Sequence, residues 1–527
     1  MRDPVRAAMD TWPRRLGLVL VLWVAALEVR LLLSGGALWR DEVNSVNVAT
    51  SESLATLWRL LEFESAPALW LLLIRGWCGL GLGDTDLGLR MLGLLGGMSL
   101  FGAGWWVARR FDVRWPVVFL LLVALNPDVL RWTHSLRGFG LGAALTLLVF
   151  EAMFRIATQP SRAGTAWALL VTVLSVHTLY SNPVVVLALC GAAALLWIRQ
   201  REPGRFATVV AVGGVAALST LPYRATVDAQ YLVAGTGWNF SLPLKVLPVL
   251  TSQGAFAPWL WLALLAGAGV AVARSWRVGD EALRERTLFA FASAAAGVVL
   301  MATFLVVLRY PPQAWYFVGL VALVGMSLTM LLAPLLEDAR MARVGLAGVL
   351  VIALLSLPSA WRSAGTRFTN VDLVANALQR NAGPQDLIVV QPWVLGIPFD
   401  RYYKGEAPWT LLPPITDHRV HRFDLIEEQI ASPEPLRGVF ARVRATLDGG
   451  GRVFVVRLFP ALAAGRPPMR LPPIPDGVSK AGLYDLAWAN QLDALLRKHA
   501  SQVQRLRPVS KGPANRFETA WVQVARP

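Results

Sequence analysis

Residues 16–49 read LGLVLVLWVAALEVRLLLSGGALWRDEVNSVNVA. An apolar run opens at Leu16, the small residues Ser34-Gly35-Gly36-Ala37 break it, and the adjacent carboxylates Asp41 and Glu42 follow beside Arg40. The run has about the 20 residues needed to cross a bilayer. Arg14 and Arg15 stand just before it, so the positive-inside rule predicts that the run leaves the cytoplasm and puts Asp41 and Glu42 outside. The short break resembles a signal-peptide cleavage site, but many further spans follow, and the run is read as an uncleaved first helix.

The same pattern recurs outward from this stretch. The chain has 527 residues, 55% hydrophobic and only 16% charged, with mean hydropathy +0.50; a soluble protein carries about a quarter charged residues. Apolar segments are predicted near 16–34, 66–82, 87–108, 115–130, 138–157, 164–181, 184–198, 206–223, 255–273, 287–308, 314–333 and 343–361. The expected fold is a polytopic α-helical membrane protein with about 11–13 transmembrane helices. The net charge of +16 lies at segment ends, as at Arg109, Arg110, Arg199, Arg201, Arg274, Arg277, Arg340 and Arg343. That distribution fits cytoplasmic loops on anionic lipid and argues against nucleic acid as a partner. Cys78 and Cys190 both lie in apolar segments, so neither a disulfide framework nor a metal-finger spacing is available.

Beyond residue 362 no run is long enough to span. Helix-like pieces alternate with β-branched ones: Val371–Arg380 then Leu387–Val390, Leu436–Leu447 then Val453–Val456, Asp485–His499 then Trp521–Val524. The expectation is a transmembrane domain over 1–362, whose first outer loop 35–65 is catalytic, and an extracytoplasmic α/β domain over 363–527. The proline-rich stretches Pro408–Pro414 and Pro467–Pro475 read as loops, and no glycine-rich nucleotide loop follows any strand.

Ionisable groups at membrane depth usually face a cavity or a partner. Asp41 and Glu42 can be a solvated loop or a helix N-cap, or one can take a proton from an acceptor hydroxyl while the other tunes it or holds a divalent metal. Glu62 and Glu64 share that loop, and Leu54–Phe63 reads as an amphipathic helix on the membrane surface. Arg90 opens a span and can simply snorkel. Arg137 stands one helical turn from His134, where its guanidinium can grip phosphate oxygens. His177 and Tyr180 have helical i, i+3 spacing, and Arg309-Tyr310 ends a long span, where an interfacial anchor is the plain alternative.

In order, these pieces resemble the GT-C superfamily of membrane glycosyltransferases, in the bacterial branch of protein O-mannosyltransferases and the lipid A aminoarabinose transferase. The likeness is carried by Trp39–Ala49 after the first helix, Ala66-Pro67-Ala68-Leu69-Trp70, Arg90-Met91-Leu92-Gly93, Asn126-Pro127 through Arg137-Gly138-Phe139, His177 to Tyr180, and Arg309-Tyr310. It covers roughly residues 10–360. Relatives often carry His-Pro-Pro where this chain has Ser65-Ala66-Pro67, and the residues after Arg137 are Gly138-Phe139 rather than a tyrosine. The resemblance implies transfer of a hexosyl or pentosyl group, mannose among them, from a polyprenyl-phosphate donor. Transfer would invert the anomeric carbon, outside the cytoplasmic (inner) membrane, to a lipid, glycan or protein acceptor. It implies Asp41 as base with Glu42 in support, Arg137, Arg309 and Arg90 at the donor phosphate, and a pocket of Glu64, His134, His177, Tyr180 and Tyr310. A transporter or lipid flippase, or a non-catalytic envelope assembly factor, is the competing reading; the chain lacks the matched broken halves typical of transporters.

Overall fold

The computed structural model describes residues 4–113, 116–200, 202–229, 239–309, 312–337, 339–463, 465–475, 480–506 and 512–527. The chain divides into two compact units. One comprises Met1–Leu33, Ser65–Asp228 and Gly237–Ala364; the other is built on Ser34–Glu64 and Gly365–Pro527. The segment carrying Asp41 and Glu42 thus packs within the same unit as the C-terminal residues.

The first unit is helical. Among the described residues, eight helices are long and apolar enough to cross a membrane: Arg15–Ser34, Asp86–Arg110, Phe139–Thr158, Pro203–Thr226, Ala257–Val278, Glu281–Leu308, Ala314–Leu336 and Arg340–Ala364. This is a multi-pass membrane protein. Three more of the apolar segments seen in the sequence form the helices Ala68–Gly79, Arg162–Val176 and Asn182–Gln200. The 12 residues of Ala68–Gly79 rise only ~18 Å at 1.5 Å each, against a hydrocarbon core of about 30 Å. That is why fewer helices meet the length needed than the twelve apolar segments suggest.

The segment with the polar middle is a broken helix. Val117–Ala124 and Pro127–His134 meet at 74°. Proline 127 disfavours a helical residue before it, and Asn126 instead caps the second piece, its Oδ1 accepting from the N–H groups of Asp128 and Val129 at 3.1 Å each. Its side-chain amide donates to the Val249 carbonyl at 2.9 Å, so the cap is itself held.

Small residues set how closely this broken helix is packed. A Cβ on Gly93 would lie 2.3 Å from the His134 carbonyl, and one on Gly140 would lie 2.5 Å from the Gly96 backbone. Backbone cannot yield as a flexible side chain can, so Gly93 and Gly140 are required by helix contact.

The second unit is a three-layer α/β fold. Among the described residues it has five strands, β1 (Leu387–Val390), β2 (Trp409–Leu411), β3 (Val453–Arg457), β4 (Gln502–Arg505) and β5 (Trp521–Arg526), in the order β2-β1-β3-β5-β4. β1 is parallel to β2 and β3, while β5 runs antiparallel to β3 and β4. Alternation along β1 supplies both cores. Ile388 and Val390 join Val371, Val374, Leu378 and Phe399 on one face; Leu387 and Val389 join Ile426, Val439, Val443, Trp488 and Leu492 on the other. Three strands lie where the β-branched runs predict them. β2 falls inside a proline-rich stretch read as loop, and β4 is a polar edge strand, so neither carries a period-two apolar signal.

Gly93→Ala should lower the thermal unfolding midpoint in detergent, reflecting a loss of ~1–3 kcal/mol from overpacking. Gly102→Ala in the same helix, where nothing lies within 4 Å of the added Cβ, should leave it unchanged or raise it.

Candidate active site

The motif helix Arg40–Ala49 follows a turn built on Gly36, whose φ of +68° suits glycine and whose Cβ would lie 2.4 Å from the Arg367 guanidinium carbon. The Phe368 N–H donates to the Gly35 carbonyl at 2.9 Å. Each polar residue of the quoted motif then has a distinct place. The Glu42 carboxylate is fully buried and accepts from the Trp39 N–H at 3.2 Å, closing the first helical turn. Ser45 donates from its hydroxyl to Glu64 at 2.7 Å, and the Asn44 amide donates to the same oxygen at 3.0 Å. Asn44 also accepts from the His421 N–H at 2.9 Å, and Asn47 donates to the Arg419 carbonyl at 2.7 Å.

Asp41 differs from its acidic neighbours. Its side chain is 21% exposed, whereas Glu42 is 0% and Glu64 2% exposed. Asp41 Oδ1 lies 3.5 Å from Arg40 Nε and 3.7 Å from His421 Nε2. Arg40 is shared with a second carboxylate: Glu518, fully buried, accepts from the Arg40 N–H at 3.2 Å and stands 3.6 Å from its guanidinium. Burial pushes the Glu518 carboxyl up to about 7, against the pull of Arg40. The 417–424 segment beside the motif is stiffened by Arg422, which forks onto Asp424 and reaches Asp417 at 3.2 Å, with its guanidinium 5.3 Å from the Phe63 ring centre. Leu54–Phe63 is a short helix, Leu54–Leu60, followed by a 3-10 turn, and Leu57, Leu61 and Phe63 are buried in this unit.

In the helical unit, Arg137 lies in the bend between the helices Pro127–His134 and Phe139–Thr158, 4% exposed, and donates to the Ser65 hydroxyl at 2.5 Å. A Cβ on Gly138 would meet the Thr178 carbonyl at 3.2 Å, so this bend touches the turn that holds His177 and Tyr180. His177 ends the helix Arg162–Val176 and Tyr180 follows in the turn, so the two do not share a helix face. His177 pairs with the Tyr223 hydroxyl at 2.9 Å and the Ser219 hydroxyl at 3.0 Å. Its carbonyl accepts from the Leu69 N–H, and Tyr223 accepts from the Ala68 N–H at 3.3 Å. The Tyr180 ring stands edge-on to Tyr223, centres 6.2 Å apart. Arg137, His177, Tyr180 and the proline-led start of Ala68–Gly79 therefore gather at one place.

His134 faces elsewhere: its Nδ1 is 2.7 Å from a Glu28 carboxylate oxygen, both side chains buried. Arg90, 1% exposed, lies one turn before Gly93. Arg309 ends the helix Glu281–Leu308 in the left-handed conformation, φ 56°, and Tyr310 lies outside the described residues.

Sequence reasoning did not single out Glu28, Tyr223, His421 or Glu518. Glu28 carried a signal, being an acid inside an apolar run. Tyr223 reads as an ordinary interfacial aromatic, and His421 and Glu518 carry no local pattern. Among the described residues there is no group of three or more His, Cys, Asp or Glu side chains that could hold a metal ion. Glu42 is turned back onto its own helix, and Asp41 faces Arg40 and His421.

Because the Glu518 carboxyl is raised above its ordinary value of 4.5, its contribution to stability is complete below that value and is lost as the pH climbs through about 7. Between those limits Glu518→Gln should unfold with a flatter pH dependence than the wild type, a relative gain of roughly 3 kcal/mol at most, read from thermal midpoints.

No family model and no curated protein matches the sequence. Solved structures do. ArnT from Cupriavidus metallidurans bound to undecaprenyl phosphate aligns at TM-score 0.53 and 12% identity, covering 96% of this chain and 97% of that one. The apo state of the same protein aligns at TM-score 0.53 over 97% and 98%. The Archaeoglobus fulgidus oligosaccharyltransferase, in complex with Zn and sulfate, is more distant: TM-score 0.47, 10% identity, 83% of this chain and 67% of that one. The likeness to ArnT is one of fold, and it runs through both the helical and the C-terminal residues. The chain has the fold of the GT-C membrane glycosyltransferases that the order of its motifs resembles.

Proposed function

We propose that the protein transfers a sugar from a polyprenyl-phosphate donor to an acceptor hydroxyl on the outer side of the cytoplasmic membrane. The observation that carries this reading is the fold shared over nearly the whole chain with ArnT, a protein solved bound to undecaprenyl phosphate. The outer acidic motif and the buried Arg137 supply the two chemical functions that such a transfer needs.

In a single displacement the acceptor oxygen attacks the anomeric carbon, the carbon–oxygen bond to phosphate breaks, and configuration inverts. The acceptor proton must go to a base, and of Asp41, Glu42 and Glu64 it is Asp41 that is open to solvent. Glu42 supports it by ordering the helical turn on which it stands. Glu64 belongs with Ser45 and Asn44 as part of the acceptor wall. The polyprenyl phosphate leaves as an anion; Arg137, buried, hydrogen-bonded and always charged, is the group suited to neutralise it. Arg309 and Arg90 are further cations for the donor, and His177 and Tyr180 line the same turn region as Arg137. His134, paired to Glu28, acts as a structural residue in this reading. The sugar is a hexose or pentose, mannose included, and the acceptor a lipid, glycan or protein.

Purified protein given radiolabelled polyprenyl-phosphate sugar should transfer it, or slowly hydrolyse it. Asp41→Asn, well expressed, should lose ~10²–10⁴-fold in kcat, the usual worth of a general base. Undiminished activity in that variant would remove the base assignment, and no turnover with any lipid-linked sugar would favour a flippase or an assembly factor. Arg137→Lys should recover only part of what Arg137→Ala loses, because an ammonium lacks the bidentate fork.

A further inference from the structure

One histidine outside the motif meets the motif helix through both its main chain and its ring. Asn44 Oδ1 accepts from the His421 backbone N–H at 2.9 Å, and Asp41 Oδ1 stands 3.7 Å from its Nε2. Asp41 and Asn44 are three residues apart, so they share one face of the helix Arg40–Ala49. The imidazole between those grips is also packed: Trp393 meets it edge-on with ring centres 6.2 Å apart, and Phe423 lies against it at 5.7 Å. The ring is 14% exposed. A side chain boxed by two aromatic rings and clamped through its own main chain has little rotamer freedom left to lose, which is what a residue that orients another requires.

We infer that His421 is a positioning residue for Asp41, its Nε2–H directed to Oδ1 so that the other carboxylate oxygen is turned to the acceptor hydroxyl. Arg40 lies on the other side of Oδ1 at 3.5 Å, and Glu518 holds Arg40 in turn through its backbone N–H and guanidinium. Among the described residues, the charged and titratable groups around Asp41 include Arg40, His421, Glu518 and the buried Glu42. His421 and Glu518 come from the C-terminal residues, which gives this part of the chain a task in the reaction itself. His421 touches neither sugar nor phosphate in this scheme; it acts through Asp41, and the inference therefore rests on Asp41 being the base.

The test is steady-state transfer by the full-length protein. His421→Ala should lower kcat by roughly tenfold or more, a share of the ~10²–10⁴ that a general base contributes, with donor KM within twofold of wild type. Added imidazole should restore part of kcat by occupying the vacated aromatic box. His421→Gln, whose amide N–H reaches about where Nε2 stands, should recover more than His421→Ala. A purely packing role predicts the reverse, since a polar amide between Trp393 and Phe423 is no better than alanine and imidazole does nothing. A loss confined to KM, kcat within twofold of wild type, or no response to imidazole and glutamine would overturn the inference. Asp41→Asn separates the two claims. If it is inactive while His421→Ala is normal, the histidine assignment alone fails; if it is fully active, the base assignment has failed first.

Discussion

Glu64 lies out of water, and a carboxylate moved there without partners costs several kcal/mol. The Ser45 hydroxyl and the Asn44 amide, both on the motif helix, meet it at 2.7 and 3.0 Å. Satisfying this one group fixes the rotation of the helix, because Ser45 and Asn44 must face Glu64 together. With that rotation set, Glu42 falls on the buried side, where it closes its own helix start, and Asp41 falls toward solvent. The remaining polar atoms of Asn44 and Asn47 are then placed to hold the main chain of His421 and Arg419. A buried polar network of this kind specifies one arrangement because a partly satisfied alternative is so much worse.

The helical unit obeys the same constraint with different means. Where apolar side chains offer no preference for one neighbour over another, close approach depends on small residues, and Gly93, Gly96 and Gly140 let backbone meet backbone. Polar residues brought inside find partners, as His134 does with Glu28 and His177 with Tyr223 and Ser219. The break at Asn126-Pro127 carries Arg131 to Arg137 into the protein interior, and the Asn126 cap satisfies the backbone groups that the break exposes. A charged guanidinium such as that of Arg137 can then sit buried at the end of a span, in a setting where its interaction with an anion is little weakened by water.

Much of this architecture was legible in the residues themselves. Hydropathy alone located the apolar segments, and β-branched runs located three of the five strands, because burial in lipid or in a sheet core imposes a composition on consecutive residues. The acidic pair at 41 and 42 stood out as two adjacent carboxylates directly after the first apolar run, where the other runs are flanked mostly by arginine. What the pattern missed was short or exposed. β2 is three residues among prolines, β4 is a polar edge, and the Ala68–Gly79 helix falls short of the bilayer. The helical spacing of His177 and Tyr180 was misleading as well, since the helix ends at Val176 and the two are related by a turn.

The sequence by itself determined that the chain is a multi-pass membrane protein with an α/β region after the last span, since both follow from local composition. It also determined that Asp41, Glu42 and Glu64 share one loop. Only the tertiary structure decided which acid stays accessible and which are locked into hydrogen bonds. It alone showed that His421 and Glu518, hundreds of residues away, converge on Arg40 and Asp41, and that Glu28 belongs to His134. Hydrogen bonding and desolvation act between side chains that folding brings together, and a linear pattern carries no record of which distant residues those are.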